Sequence, residues 1–283
     1  MEQSADLLGA PARNRRSGAG IEGMAEVELG RSERLAAVRE GRVASLHSWE
    51  LVTAVDGPGT RLTLFFAGCP LRCVYCHNPD TMEMRRGQDV GIEEIVRRVR
   101  RYRRVFAASG GGITLSGGEV LMQPAFAGKV LRAAQEMGVH TAIDTSGYLG
   151  AVASDAFLDD VDLVLLDVKS GSEESYQALT GRALQPTIDF GDRLARRGIP
   201  IWLRFVVVPG WTDDEENVER VADIVERWKH VVERVEVLPF HNMGQDKWDT
   251  LGMEYKLRDA LPPSKEVMQR VRDQFRDRGL VVH

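Results

Sequence analysis

All three cysteines of this chain lie within eight residues, in the stretch Ala67 to Asn78 that reads A-G-C-P-L-R-C-V-Y-C-H-N. Cys69, Cys73 and Cys76 have the spacing C-x3-C-x2-C, which is close enough for three thiolates to converge on one metal centre from a single loop. No cysteine remains elsewhere for a disulfide framework. The sequence therefore favours a metal-binding loop as the feature around which the chain is organised.

Two kinds of metal centre fit three thiolates. A 4Fe-4S cluster normally takes four, so three would leave one iron open to a ligand, and such an iron can hold a cofactor. Zinc is the alternative, with His77 completing a structural Cys3His set, although the compressed spacing lacks the usual separated ligand pairs. The cysteines could also be buried small apolar residues, but Gly68, Pro70 and Arg72 are poorly suited to a core strand or helix.

The bulk composition is that of a globular protein. Hydrophobic residues make up 43% of the 283 residues, enough for a sizeable core in one or two domains. A net charge of -5 argues against a predominantly electrostatic nucleic-acid binder. No apolar run approaches the roughly 18 residues of a membrane span, and the N-terminus lacks the apolar core of a secretory signal. We expect a cytoplasmic protein that binds neither nucleic acid nor membrane, in a reducing compartment that suits free thiols.

Residues 1–41 differ from the rest in having Gly, Ala, Ser and scattered charge but no sustained apolar period. We expect a disordered N-terminal extension, without fixed structure through about Glu28 and with a short helix from Ser32 to Glu40. The motifs described below start only near Arg42, so Met24 is a second candidate for the translation start.

From Val43 onwards, strand and helix patterns alternate. A hairpin-like segment, Val43 to Val55, leads into a D-G-P-G turn at Asp56 to Gly59. The predicted strands that follow are Leu62–Ala67, Gly112–Leu115, Val139–Asp144, Leu163–Val168, Ile201–Val208 and Val235–Pro239. The predicted helices are Ile92–Ala108, Pro124–Met137, Ser172–Thr180, Pro186–Arg197, Asp213–Lys229 and Lys265–Arg278. This alternation predicts an α/β fold, a partial six-stranded parallel β/α barrel formed by residues 42–283 as one domain.

Polar and glycine-rich motifs follow directly after several of these strands, where β/α barrels place their active sites. The cysteine loop follows the first strand, and S-G-G-E (116–119) follows the second. Gly117 and Gly118 have no side chains and would let the backbone approach a ligand closely, or they form an ordinary β-to-α turn. Glu119 could cap the helix that comes next.

The ordered set of motifs resembles the radical S-adenosylmethionine (SAM) superfamily and, within it, the pyruvate formate-lyase activating enzymes. The matching segments are V-D-G-P-G-T-R (55–61), F-F-A-G-C-P-L-R-C-V-Y-C-H-N-P-D-T (65–81), A-S-G-G-G-I-T-L-S-G-G-E (108–119), I-D-T-S-G (143–147), L-L-D-V-K (165–169), W-L-R-F-V-V-V-P-G-W (202–211), L-P-F-H (238–241) and E-Y-K-L (254–257). They run in the family's order, so the resemblance implies the radical SAM type of barrel.

The resemblance also implies a set of site residues. Cys69, Cys73 and Cys76 would hold one 4Fe-4S cluster whose open iron binds the amino and carboxylate groups of SAM. The residues implied to bind SAM or to lie beside the cluster are Tyr75, Cys76, His77, Gly118, Asp167, Val168, Lys169 and His241. Those implied to hold a monovalent cation beside the SAM carboxylate are Asp144, Thr145, Leu165 through its carbonyl, and Asp167.

Asp56 and Arg204 are implied to hold the substrate polypeptide. The residues alone leave simpler roles open: a turn at Asp56, a strand-end salt bridge at Arg204, and a structural pairing of Asp167 with Lys169.

The activity implied by the resemblance is reductive cleavage of SAM to methionine and a 5′-deoxyadenosyl radical. That radical removes a hydrogen atom from a specific glycine of pyruvate formate-lyase and leaves a glycyl radical, with a flavodoxin or ferredoxin as the expected electron donor. Activators of some other glycyl radical enzymes carry a further cysteine-rich domain, and this chain has no cysteines beyond its three. Another glycyl radical enzyme, a small-molecule radical reaction and a zinc-bound Cys3His scaffold remain alternatives.

Overall fold

The computed structural model describes residues 20–53 and 55–283. The strands are β1 (Val43–Thr53), β2 (Arg61–Phe66), β3 (Gln88–Gly91), β4 (Gly112–Gly117), β5 (His140–Thr145), β6 (Leu163–Asp167), β7 (Ile201–Val207) and β8 (Val232–Pro239). The helices are α1 (Arg31–Arg39), α2 (Ile92–Ser109), α3 (Pro124–Glu136), α4 (Asp155–Leu158), α5 (Glu173–Thr180), α6 (Gln185–Arg197), α7 (Glu215–Glu226), α8 (Gln245–Thr250) and α9 (Lys265–Asp277).

One eight-stranded sheet organises the fold, in the order β3-β1-β2-β4-β5-β6-β7-β8. Six neighbouring strands pair in parallel, in the order β2, β4, β5, β6, β7 and β8. This confirms the predicted six-stranded parallel barrel arrangement. β1 pairs antiparallel with β2, and β3 pairs antiparallel with β1. We predicted β1 only as a hairpin-like segment and did not predict β3, because its four residues are too few to show a period.

The two faces of the parallel strands carry different side chains, as the alternation of a strand requires. One face joins the main hydrophobic core with the surrounding helices, for example through Leu64, Ile113, Leu166 and Leu203. The other face encloses a small apolar cluster of Ala142, Leu163, Leu165 and Trp202. Polar side chains lie farther along this inner face, and they form the site described below.

The helices begin and end where local side chains satisfy free backbone groups. Asp214 caps α7 by accepting a hydrogen bond from the Asn217 N–H, so this helix starts two residues later than we predicted. Ser264 caps α9 in the same way through the Val267 N–H. Gly110 ends α2 with a φ of 65°, a left-handed conformation that glycine adopts without strain.

Residues 20–28 contact the sheet, so our expectation of disorder through Glu28 is wrong for this part of the chain. Gly20 forms a parallel bridge with Ser48 of β1, and Ile21 is buried. An extended segment that pairs with a strand through its backbone needs no apolar period, which is why composition pointed the other way.

The expected helix from Ser32 to Glu40 is present as α1. Residues 1–19 lie outside the described residues, so an N-terminal extension there stays a prediction. None of the helices within the described ranges is long and apolar enough to cross a membrane.

Candidate active site at the carboxyl ends of the strands

The cysteine loop follows β2, and its first residues are hydrogen-bonded to its last residues. Gly68 adopts a φ of 99°, which lets the chain turn sharply before Cys69. The Gly68 N–H donates to the Thr81 carbonyl at 2.7 Å, and the Cys69 N–H donates to the Met82 carbonyl at 3.1 Å. These bonds close residues 68–82 into a compact loop that presents all three cysteines at the carboxyl end of the first barrel strand.

Burial sets the chemistry of the three thiols. It raises the pKa of Cys69, Cys73 and Cys76 alike, to about 12 for Cys76. The metal-free thiols are therefore protonated at neutral pH, and a thiolate becomes favourable here only when nearby positive charge compensates it. Metal binding supplies that charge and displaces the protons.

His77 is engaged with a second histidine. Its ring stacks on His241 with centroids 3.9 Å apart, and its Nε2 donates to the His241 carbonyl at 2.8 Å. Burial, and then the neighbouring His241, lower the pKa of His77, so its ring is neutral. Among the described residues, no group of three or more His, Cys, Asp or Glu is arranged to hold a single metal ion, as a structural zinc site requires.

The cysteine loop fills the space that a side chain at Gly118 would need. A methyl group there would lie 2.5 Å from the Gly68 carbonyl oxygen and 2.9 Å from the Thr81 carbonyl oxygen, well inside contact distance. The N–H of the next residue, Glu119, donates to the Gly68 carbonyl at 2.8 Å. The loop after β4 is thus packed directly against the loop that carries the cysteines.

Glu119 is the buried junction between two loops. Its carboxylate accepts from the Leu121 N–H, which caps a short 3₁₀ helix and agrees with the capping role considered from the sequence. It also accepts from the Thr145 hydroxyl at 2.7 Å, and from the Ser146 N–H and hydroxyl at 3.1 and 2.6 Å. Sequence reasoning did not anticipate this tie between the loops after β4 and β5.

Arg204 lies among three carboxylates inside the barrel. Its guanidinium is 3.0 Å from Glu236, 3.2 Å from Asp144 and 3.7 Å from Asp56. It also donates to the Val55 carbonyl. Burial disfavours its charge, but the surrounding carboxylates outweigh that effect and raise the pKa of Arg204. The salt bridge considered for Arg204 from the sequence is present, and the structure adds a contact with Asp56 of the D-G-P-G segment.

Positive charge only partly compensates the buried carboxylate of Asp144. Burial raises its pKa to about 6, and Asp167 contributes in the same direction. Arg204 and the Ser116 hydroxyl, which donates to Asp144 at 2.7 Å, lower the pKa and only partly offset the burial.

Asp167 and Lys169 form the ion pair that the sequence allowed, with Nζ and Oδ2 3.0 Å apart. Burial lowers the pKa of Lys169, but Asp167, together with Tyr75 and Cys73, outweighs that effect and raises the pKa well above its usual range. The ammonium also lies 5.7 Å from the centroid of the Tyr75 ring, within reach of a cation–π contact. Val168, between the pair, is buried and donates its N–H to the Arg204 carbonyl.

The residues implied for a cation lie on the adjacent strands β5 and β6, where Asp144 is directly opposite Leu165. The Thr145 hydroxyl donates to Glu119 and accepts from the Gly147 N–H at 3.0 Å. One of its lone pairs therefore remains for another partner.

An apolar roof covers the cysteine loop, and of its residues only Tyr75 was assigned a role from the sequence. The Trp248 indole donates to the Cys76 carbonyl at 2.9 Å and stacks on Tyr255 with centroids 5.4 Å apart. The buried members of this cluster are Val74, Tyr75, Met82, Leu179, Val208, Phe240, Trp248, Tyr255 and Leu257. Tyr255 belongs to the E-Y-K-L segment, so that motif closes the site from the C-terminal side.

Comparison with known proteins agrees with this geometry. The Radical SAM superfamily model matches residues 63–222, which is more than half of the chain. The pyruvate formate-lyase 1-activating enzyme of Escherichia coli strain K12 is 41% identical over 232 residues, covering 81% of this chain and 94% of that enzyme. The chain belongs to the pyruvate formate-lyase activating enzyme family of the radical SAM superfamily.

A second curated relative supports this membership, and a solved structure shows the same fold. The pyruvate formate-lyase-activating enzyme of Clostridium pasteurianum is 44% identical over 221 residues, covering 78% of this chain and 92% of that enzyme. A solved radical SAM methyltransferase from Sphaerobacter thermophilus shares the fold, with a TM-score of 0.58 at 16% identity over 90% of this chain and 81% of that one.

The donor groups fit the 4Fe-4S cluster and SAM that membership of the radical SAM superfamily implies. One loop supplies three free cysteines beneath an apolar roof, and His77 is hydrogen-bonded to the His241 carbonyl. Two polar atoms buried in the same region, His241 Nδ1 and the Tyr255 hydroxyl oxygen, lack a hydrogen-bond partner in the described structure. Buried polar atoms normally have partners, so this region has unused capacity for a polar ligand.

Proposed function

We propose that this chain activates pyruvate formate-lyase by generating a glycyl radical on it. The observation that carries the proposal is the 41% and 44% identity to two pyruvate formate-lyase activating enzymes across 94% and 92% of their lengths. The chain has no cysteines outside the one loop, which favours this substrate over glycyl radical enzymes whose activators carry an additional cysteine-rich domain.

In this proposal Cys69, Cys73 and Cys76 hold the cluster and leave one iron open for SAM. When bound, the cluster supplies the electron that cleaves SAM to methionine and the 5′-deoxyadenosyl radical that takes hydrogen from the partner's glycine. The chain itself contributes position and shielding. Trp248 and Tyr255 exclude water above the loop, and Gly118 allows the loops after β2 and β4 to pack together.

The SAM-binding residues are proposed to be Tyr75, His77, Gly118, Asp167, Val168, Lys169 and His241, together with Cys76. The unpartnered His241 Nδ1 supports a role in binding the nucleoside part. Because Lys169 is fixed by Asp167 and lies near Tyr75, it is suited to hold position and charge and not to transfer protons.

A monovalent cation is proposed to bind between β5 and β6, held by Asp144, Thr145, the Leu165 carbonyl and Asp167. Oxygen ligands suit a hard cation. The raised pKa of Asp144 supports the assignment, because a buried carboxylate with too little positive charge around it gains from a bound cation.

Asp56 and Arg204 are proposed to hold the partner's glycine loop. They lie 3.7 Å apart inside the barrel, on the D-G-P-G segment and on β7. A flexible glycine loop is suited to reach such an interior, because its backbone needs little room. A flavodoxin or ferredoxin is the proposed electron donor, and the reducing cytoplasm the proposed compartment.

The test is anaerobic. Reduced protein, SAM and candidate pyruvate formate-lyase are mixed, and a glycyl radical doublet is sought by electron paramagnetic resonance. The doublet together with methionine formation supports the proposal. SAM cleavage without the doublet retains the radical chemistry and rejects pyruvate formate-lyase as the substrate, and the same assay with other glycyl radical enzymes then identifies the alternative.

A further inference from the structure

Helix α2 carries a dense group of exposed positive charges. Six of its residues are arginines, in the run R-R-V-R-R-Y-R-R at 97–104. Arg97 and Arg98 pair with Glu94. Arg100, Arg101, Arg103 and Arg104 are exposed, and no carboxylate of the described residues forms an ion pair with any of them. These four residues are called the arginine patch.

The patch is unusual on a chain whose net charge is -5. Arginines on or directly after other helices have an acidic partner within reach, as in the pairs Arg220–Glu216, Arg227–Asp192 and Arg278–Asp223. Within the patch, like charges instead occupy helix positions three and four residues apart, and each such pair costs roughly 0.2–0.5 kcal/mol. An acidic partner surface would turn this repulsion into attraction.

Helix α2, which carries the patch, ends against the segment proposed to hold the substrate. At the end of α2, Ser109 Oγ accepts from the Thr60 N–H at 3.1 Å. Gly59 packs so closely there that a methyl group on it would lie 2.5 Å from the Ser109 carbonyl oxygen. Gly59 ends the D-G-P-G turn whose Asp56 faces Arg204. The carboxyl-terminal end of α2 therefore adjoins the turn proposed to hold the glycine loop, and Arg104 precedes Ser109 by five residues, about 7.5 Å along the helix axis.

The direction of α2 argues against the electron donor as the occupant. The helix connects the end of β3 to the start of β4, and its last residue lies beside the amino end of the barrel strands. The cysteines lie at the opposite, carboxyl end. An electron donor must approach the cysteine loop closely, whereas a large protein that inserts a glycine loop past Asp56 also covers the surface beside that turn.

We propose that Arg100, Arg101, Arg103 and Arg104 form a docking surface for an acidic region of the protein substrate, outside the glycine loop itself. This inference rests on the proposed function and extends it to the recognition of the whole partner. Arginine is suited to the role because its guanidinium binds carboxylates in a bidentate manner. Complementary charge of this kind mainly raises the association rate and is weakened by salt.

The test uses charge reversal with a matched control. The first variant combines Arg100→Glu with Arg104→Glu. The control combines Arg39→Glu with Arg196→Glu, two exposed arginines on α1 and α6 for which the described residues likewise show no ion pair. Both variants change the net charge equally. A third variant, Arg100→Lys with Arg104→Lys, retains the charge and guards against a folding defect.

Glycyl radical formation is measured against partner concentration at about 50 mM and about 300 mM salt, with SAM cleavage in the absence of partner as the basal reaction. The patch variant is expected to raise the KM for the partner roughly tenfold at low salt and to lose most of the salt dependence, with basal cleavage unchanged. The control and the lysine variant are expected to stay within about twofold of wild type.

Equal KM values and equal salt dependence for the patch and control variants would overturn the docking surface while leaving the proposed function intact. A wild-type protein that forms no glycyl radical on the partner would overturn both. Binding of a double-stranded DNA oligonucleotide that is lost only in the patch variant, with activation of the partner unchanged, would assign the patch to nucleic acid instead.

Discussion

The Arg204 guanidinium on β7 lies 3.2 Å from the Asp144 carboxylate on β5. This contact joins a residue proposed to hold the substrate to a residue proposed to bind the monovalent cation, inside the barrel. The same guanidinium reaches Glu236 on β8. A single side chain therefore balances negative charge from several strands. We expect its replacement to change both substrate binding and the free energy of unfolding.

Arg204→Ala removes the guanidinium that balances a group of buried carboxylates. Removing one partner of a buried ion pair costs about 3–5 kcal/mol. We expect that loss in the free energy of unfolding measured with urea. Arg204→Lys keeps the charge without the planar fork, so it should lose less stability and reduce glycyl radical formation more than SAM cleavage. Equal loss of both reactions in the lysine variant would contradict a role in holding the substrate.

Asp144 should make the stability of the metal-free protein depend on pH. Its pKa is raised to about 6 in the folded chain, against roughly 3.9 for an unfolded Asp, so the folded state retains the proton more tightly. The free energy of unfolding contributed by this group therefore falls as pH rises from about 4 through 6, by on the order of 3 kcal/mol. Urea unfolding of wild type and Asp144→Asn across that range isolates the effect. A difference between the two that does not change with pH would refute it.

Gly118→Ala should disturb the cysteine loop, because the added methyl group would lie 2.5 Å from the Gly68 carbonyl oxygen. Such overpacking typically costs about 1–3 kcal/mol. We expect less iron bound per chain after anaerobic reconstitution and a lower free energy of unfolding. The matched control is Gly30→Ala, where no atom lies within 4 Å of the new methyl group. Equal iron content in the two variants would show that the loop accommodates the methyl group.

Glu119→Ala should destabilise the chain by about 2–4 kcal/mol, because it leaves the buried hydroxyls of Thr145 and Ser146 and the Ser146 N–H without their acceptor. Glu136→Ala, at an exposed position at the end of α3, serves as the control and should change the unfolding free energy by less than about 0.5 kcal/mol. Hydrogen exchange at the Ser146 amide should accelerate only in the first variant. Unchanged exchange there would argue against Glu119 as the link between the two loops.

The barrel strands were predictable because buried parallel strands are continuous apolar runs that end in polar or glycine-rich motifs. The cysteine loop was predictable because its spacing is local. β3 and the pairing of Gly20 with Ser48 were not, since both depend on backbone hydrogen bonds between distant segments that leave no mark on a short stretch of sequence.

The same distinction holds within the site. The Asp167–Lys169 pair lies within three residues and was considered from the sequence. The stacking of His77 on His241 joins positions more than 160 residues apart, and the bond from Trp248 to Cys76 spans a similar separation. Only the tertiary fold brings these residues together, so their joint role could not be read from the chain alone.

Serine replacement tests whether Cys69, Cys73 and Cys76 together hold a cluster with one open iron. Wild type and the variants Cys69→Ser, Cys73→Ser and Cys76→Ser are reconstituted anaerobically, and iron content and 5′-deoxyadenosine formed from SAM are measured in each. We expect about four irons per chain and SAM cleavage in wild type, with cleavage abolished in every serine variant. A serine variant that keeps both its iron and its SAM cleavage would contradict the claim.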